Sequence, residues 1–263
     1  MDFHLEGKSI IVTAASQGLG KAIAEEFANE GASVFISSRD AGALEKTAEE
    51  IKMKTKNERV SFIPCDMKKE EDISNLIETA VKENGTIDGL VNNTGGPPAG
   101  SFMEMSDDDW YHAFELNLLS YVRTIRAAVP YMQKQKYGRI INIASSSIKE
   151  SIDNLVLSNT MRPGIVGLAK TLSQELSEDN ILINTVGPGT IQTERIHHLN
   201  QLRAERQNVA IEQIQEEGEA GIPIKRYGEP HEFAKPVVFL GSGANTYITG
   251  QTMIVDGGSV KAL

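Results

Sequence analysis

Ser9-Ile10-Ile11-Val12-Thr13-Ala14-Ala15-Ser16-Gln17-Gly18-Leu19-Gly20 decides how this chain folds. Ser9 to Thr13 is a short β-branched run suited to a buried strand. Ser16 to Glu30 follows with Ala22, Ile23 and Phe27 spaced along one face of a helix. The glycines of the turn let backbone N–H groups and a helix N-terminus approach an anion such as a pyrophosphate. The unit then recurs. Ser33–Ser37 precedes a helix over Ala41–Lys56, Val60–Pro64 one over Glu70–Asn84, and Ile87–Asn92 helices between Asp107 and Lys136. Arg139–Ala144 leads to a helix ending near Glu178, and Ile181–Val186 to a long polar segment. Glu229–Leu240 reads as a helix and Gln251–Val255 as the last strand. Strands separated by helices need crossover connections, so the pattern predicts an α/β fold. It is a doubly wound parallel sheet of about seven strands with helices on both faces, in one domain over residues 1–263.

Composition narrows the partners. A net charge of -10 argues against nucleic acid or an anionic membrane. No apolar run approaches the roughly 20 residues that span a bilayer, and Met1-Asp2-Phe3-His4 lacks a signal-peptide layout, so the expected location is the cytosol. The single cysteine, Cys65, excludes an internal disulfide and a cysteine-rich metal site. No metal is expected.

Polar or small residues also recur at the strand ends: Asp66 beyond the third strand, and Asn92-Asn93-Thr94-Gly95-Gly96 after the fourth. Further pieces are Glu115-Leu-Asn117-Leu, Gly138-Arg-Ile-Ile-Asn-Ile-Ala-Ser145, Asn184-Thr-Val-Gly-Pro188-Gly189, and Ile248-Thr-Gly-Gln-Thr-Met-Ile-Val-Asp-Gly257-Gly258. Together they resemble the short-chain dehydrogenase/reductases of the 3-oxoacyl-carrier-protein-reductase-like kind across nearly the whole chain.

That resemblance implies a Rossmann-like sheet binding NADP or NAD, a carbonyl or alcohol substrate, and a homo-oligomer, tetramer or dimer. The cofactor would meet Thr13, Ala15, Ser16, Gln17, Gly18, Leu19 and Gly20 at the first turn, then Ser38 and Arg39. Asp66 and Met67 would lie at the adenine, Asn92 and Gly95 along the groove, and Pro188, Gly189, Ile191 and Thr193 at the nicotinamide and pyrophosphate. Asp66 could instead cap the following helix, and Pro188-Gly189 could be only a turn. An NAD-preferring relative places an acidic residue where Ser38-Arg39 stands here; a guanidinium pairs with a ribose 2′-phosphate, so NADP is preferred.

Two departures stand out. Ala14 replaces the first glycine of the turn, which costs on the order of 1 kcal/mol if its φ is positive. The second concerns proton transfer. In the family a tyrosine follows the catalytic serine by thirteen residues and a lysine follows by four more; counted from Ser145 those places hold Ser158 and Arg162. The following Gly167-Leu-Ala-Lys-Thr-Leu matches the family without a gap. An alkyl hydroxyl is far less acidic than a phenol, and a guanidinium holds its proton at working pH. The expected catalytic set is therefore Asn117, Ser145, Ser158 and Arg162, with the proton coming through water, Ser158 or a lid residue.

Pro163 fits best in the first turn of a helix, which makes Ser158 or Asn159 an N-cap candidate. Lys149 and Glu150 are alternative donors, and Tyr137 lies at the wrong end of its strand. Thr193–Gly221 reads as a lid carrying His197 and His198. Arg123, Arg126, Lys134, Lys136 and Arg139 would form a basic docking patch if they cluster. The rival reading is a cofactor-binding relative without turnover, a sensor or silent subunit.

Overall fold

The computed structural model describes residues 2–262; Met1 and Leu263, the ends of the predicted 1–263 domain, lie outside the described residues. Seven strands form one parallel sheet: β1 (Ser9–Thr13), β2 (Ser33–Ser38), β3 (Val60–Pro64), β4 (Gly89–Asn92), β5 (Gly138–Ile143), β6 (Ile181–Pro188) and β7 (Thr252–Val255). Their spatial order is β3-β2-β1-β4-β5-β6-β7. The chain thus winds outward from β1 in one direction, returns beside it as β4, and winds outward in the other. Between β1 and β4 the two windings part, leaving a crevice at the strands' carboxyl ends where ligands bind in open α/β sheets.

Helices α1 (Gly18–Asn29), α2 (Ala41–Thr55) and α3 (Glu70–Asn84) follow the first three strands. β4 leads to α4 (Asp107–Phe114), a π-turn at Glu115–Leu119 and α5 (Ser120–Gln135). Beyond β5 and β6 come α6 (Val156–Glu175), α7 (Glu194–Gln207), α8 (Ile211–Gly221) and α9 (Pro230–Leu240). Phe27, Leu44 and Phe233 share the apolar layer on one face of the sheet, and Leu76, Ala128 and Ala169 the layer on the other. β1, β4 and β5 are buried at every position, as strands covered on both faces must be. Among the described residues, no helix is long and apolar enough to cross a membrane.

The fourth strand begins at Gly89 rather than Ile87, because Asp88 turns aside to accept bonds from Ser9 N (2.9 Å) and Lys8 Nζ (3.0 Å). The polar stretch over 193–221 forms two helices anchored by buried Ala204 and Ile214.

The largest difference from expectation is the start of α6. Ser158 and Asn159 do not cap it; Leu155 stands at that place, and Pro163 lies inside the helix. A distant contact fixes the start: Gly100 N donates to Asn154 O (2.6 Å), and Val156 N to Gly100 O (3.4 Å). Asn159 then ties its amide to Ile152, donating to its oxygen at 2.9 Å and accepting from its nitrogen at 3.2 Å. These contacts outweigh the lost helical bond of Pro163, whose ring is on the exposed side.

Candidate active site

The carboxyl ends of β1, β2, β4, β5 and β6 open into one groove of about 1140 Å³. At its nucleotide end stands the first turn. Ala14 holds φ +47°, the strained condition anticipated for a methyl at that place, and Gly18 holds φ +57°. At Gly20 an added Cβ would lie 2.3 Å from Ala14 O, so only glycine lets α1 seat this close to β1. Gln17 precedes α1 with no side-chain cap, which leaves the first N–H groups of the helix free to meet an anion. That uncapped cradle fits a dinucleotide's pyrophosphate. At the end of β2, Ser38 Oγ is buried without a partner and Arg39 is exposed on the rim.

Ser16, Gln17, Gly18, Leu19, Ser38, Arg39, Asp66, Met67, Gly95, Pro188, Gly189, Ile191 and Thr193 all line the groove, as do Ser145, Ser158 and Arg162. Five expected residues stand behind its wall. Thr13 Oγ1 donates to Asn93 O (2.7 Å), Ala15 N donates to Ser37 O (2.9 Å), and Gly20 packs under the turn. Asn92 donates to Asn142 Oδ1 (2.9 Å) and accepts from Thr124 Oγ1 (2.6 Å). Asn117 sits in the π-turn, a distortion frequent at functional sites, and donates to Thr94 Oγ1 (2.9 Å) and Gly95 O (2.8 Å); its own Oδ1 has no partner. Asp66 does not cap α3, which has no side-chain cap; its carboxylate accepts from Lys68 N (3.1 Å) instead. Burial pushes the thiol of neighbouring Cys65 up to about 12, which keeps it protonated and inert.

At the other end, Ser145 follows β5 and its hydroxyl accepts from Ser147 N (3.1 Å). Ser147 Oγ and Ser158 Oγ are 3.3 Å apart, so α6 does turn its hydroxyl toward the serines. Arg162, one turn on, is buried and donates through Nη1 to Ile143 O (3.2 Å) and Ala144 O (2.6 Å), while its Nε has no partner. Sequence reasoning missed the phenol beside it. Tyr121, fully buried on α5, donates to the same Ile143 O (2.8 Å). Burial raises its pKa, and the Arg162 charge opposes that rise. Burial likewise pulls the Arg162 guanidinium down, with Tyr121 opposing. Tyr121 lies four residues after Asn117, a spacing that could have flagged it. It is not on the groove surface, so it braces the end of β5.

Lys149, Glu150, His197 and His198 are exposed and off the groove. Tyr137 lies under Lys8 and Arg139, far along β5 from Ser145. Of the five residues of the expected basic patch, Arg139 is buried against main-chain oxygens, Arg123 reaches Lys68 O and Lys136 pairs with Asp179, while Arg126 and Lys134 are exposed. Two further groove residues went unnoticed: Tyr227, whose hydroxyl accepts from Asn200 Nδ2 (3.3 Å), and Arg195, whose Nη2 donates to Pro97 O (2.8 Å).

Comparison with known proteins agrees with this geometry. The sequence model of a family described as Enoyl-(Acyl carrier protein) reductase matches residues 13–260. NADPH-dependent reductase BacG of Bacillus subtilis is 31% identical over 256 residues, 97% of this chain and 99% of that protein. The 3-oxoacyl-[acyl-carrier-protein] reductase FabG of Thermotoga maritima is 34% identical over 262 residues, 98% of this chain and 99% of its own. Among solved structures, L-sorbose reductase from Gluconobacter frateurii, complexed with NADPH and L-sorbose, superposes with a TM-score of 0.94 at 32% identity, covering 100% of both chains.

Proposed function

The chain belongs to the short-chain dehydrogenase/reductase family, and from that premise we propose that it is an NADP-dependent oxidoreductase interconverting a carbonyl and an alcohol. One observation carries this reading: a single groove runs from the uncapped start of α1 and Arg39 to Ser145 at the end of β5. The N–H groups of Gly18 and Leu19 would take the pyrophosphate, Arg39 the 2′-phosphate, Asp66 and Met67 the adenine, and Pro188, Gly189 and Ile191 the nicotinamide. When bound, the nicotinamide supplies or receives hydride.

The chain's own residues do the rest. Ser145 hydrogen-bonds the substrate oxygen, and Arg162 presents a fixed positive charge where negative charge develops. Asn117 fixes the Thr94–Gly95 edge of the groove. No phenol stands at position 158, so the proton reaches the substrate oxygen from water held by the Ser147–Ser158 hydroxyl pair. The helices over 193–221 serve as a lid that keeps other water out. The exposed Phe102, Met103, Tyr111 and Phe114 support a homo-oligomer.

Nicotinamide fluorescence during NADPH titration, followed by an absorbance screen of ketones and alcohols, tests the reading. Saturation at micromolar NADPH with turnover of a carbonyl is expected; a groove that takes no cofactor contradicts it. Binding without turnover of any substrate would favour the silent-subunit alternative, to which the Ser158/Arg162 exchange lends weight.

A further inference from the structure

We propose that the substrate end of the groove is built for a carboxylate: Arg162 and Arg195 together hold the acid group of a short oxo acid, or of the hydroxy acid in reverse, whose carbonyl lies against Ser145. This inference rests on the oxidoreductase reading and narrows its substrate class.

Both guanidinium groups line the same cavity, and neither meets a carboxylate in any ion pair among the described residues. Of the chain's ten arginines, Arg59, Arg123, Arg203 and Arg226 pair with a carboxylate among the described residues; of those that do not, Arg162 and Arg195 stand at the substrate end of the groove and Arg39 at its nucleotide rim. Arg162 is only 7% exposed, is anchored by the carbonyls of Ile143 and Ala144, and keeps an unpartnered Nε. A buried cation held only by neutral carbonyls is incompletely compensated, and an anion beside it offsets the cost. Arg195 leaves the first turn of α7 and is open to the groove. Pro97 O fixes its Nη2, and its plane lies against Gly96, where a Cβ would come within 2.8 Å of Nη2. Glycine is what permits that approach. Partial burial against the groove walls lowers the pKa of the otherwise exposed Arg195, and the Arg162 charge lowers it further. Arg203 on the same wall is neutralised by Glu217, and Glu194 on the rim forms no bond to Arg195.

Position sets the substrate's size. Arg162 grips Ala144 O, the residue immediately before Ser145, so an acid group bound there lies next to the oxygen that Ser145 holds. A 2- or 3-oxo acid meets that requirement, whereas a neutral thioester leaves both charges unmet. A planar guanidinium fork also suits a carboxylate better than a ketone.

The cofactor's own phosphates are the other anions within reach, and the test separates the two sources. Pyruvate, 2-oxobutyrate and acetoacetate, each with its methyl ester, are titrated calorimetrically into the protein saturated with NADP+, where no reduction occurs. At least one acid is expected to bind about tenfold to a hundredfold tighter than its ester, the worth of a charge-assisted hydrogen bond. Arg195→Gln should abolish that difference, Arg195→Lys restore part of it, and NADPH affinity stay within about threefold in both. Acids and esters that bind alike, or none that binds, overturn the proposal. So does an Arg195→Gln protein that loses NADPH by the same factor, since the pair then serves cofactor phosphate. A wild-type protein that takes no NADPH overturns the oxidoreductase reading and this one with it.

Discussion

The two ends of the groove are built differently. At the nucleotide end the working parts belong to the backbone: the start of α1, the close seat of Gly20 and the left-handed turn at Ala14. At the substrate end they are side chains hung on β5, α6 and α7, namely Ser145, Ser158, Arg162 and Arg195. Backbone parts are tied to the sheet, and changing them disturbs the fold. Side chains at a strand end can be exchanged while the sheet stays as it is. A family groove can thus persist while its proton-handling pair becomes a serine and an arginine.

Substitutions at each end should therefore fail in different ways. Ser145→Ala is expected to lower kcat about a hundred- to a thousandfold, the loss of roughly 3–4 kcal/mol of transition-state stabilisation, with NADPH affinity unmoved. Unchanged turnover would remove Ser145 from the mechanism. Gly20→Ala should act on the fold, since its methyl meets a backbone oxygen. A loss of about 2–3 kcal/mol in urea denaturation, with weakened NADPH binding, is the expected outcome. A stable variant with normal affinity would show that the cradle is looser than its geometry. Arg39→Ala should weaken NADPH about tenfold to a hundredfold and leave NADH alone, in parallel fluorescence titrations. Equal losses refute the 2′-phosphate contact. The smallest effect is Ala14→Gly. Relief of a positive φ, worth roughly 1–2 kcal/mol, exceeds the entropy glycine adds to the unfolded chain, so a net gain of about 0.5–1 kcal/mol should appear as a raised urea midpoint.

Much of the fold was legible because strand and helix periods alternate without interruption, and polar residues recur at the strand ends. Other features depended on contacts between distant residues. Ser158 looked like a cap because Pro163 favours a first turn, but the Gly100–Leu155 contact starts α6 earlier. Only the packed structure brings the Tyr121 hydroxyl to Ile143 O and the side of Arg162. Arg195 was lost in the polar composition of 193–221, and its partner Pro97 is 98 residues away in sequence. The serine and arginine of α6 were legible as a pair because four residues make one helical turn, and both are buried toward the end of β5.

Restoring the family's phenol and ammonium in one variant, Ser158→Tyr with Arg162→Lys, tests the division between the two ends most directly. Steady-state reduction and NADPH titration on the same preparation should show kcat rising about tenfold to a hundredfold, within what a positioned general acid contributes, and NADPH affinity within about threefold of wild type. Unchanged turnover with intact cofactor binding would contradict the view that the missing acid is what sets this chain apart.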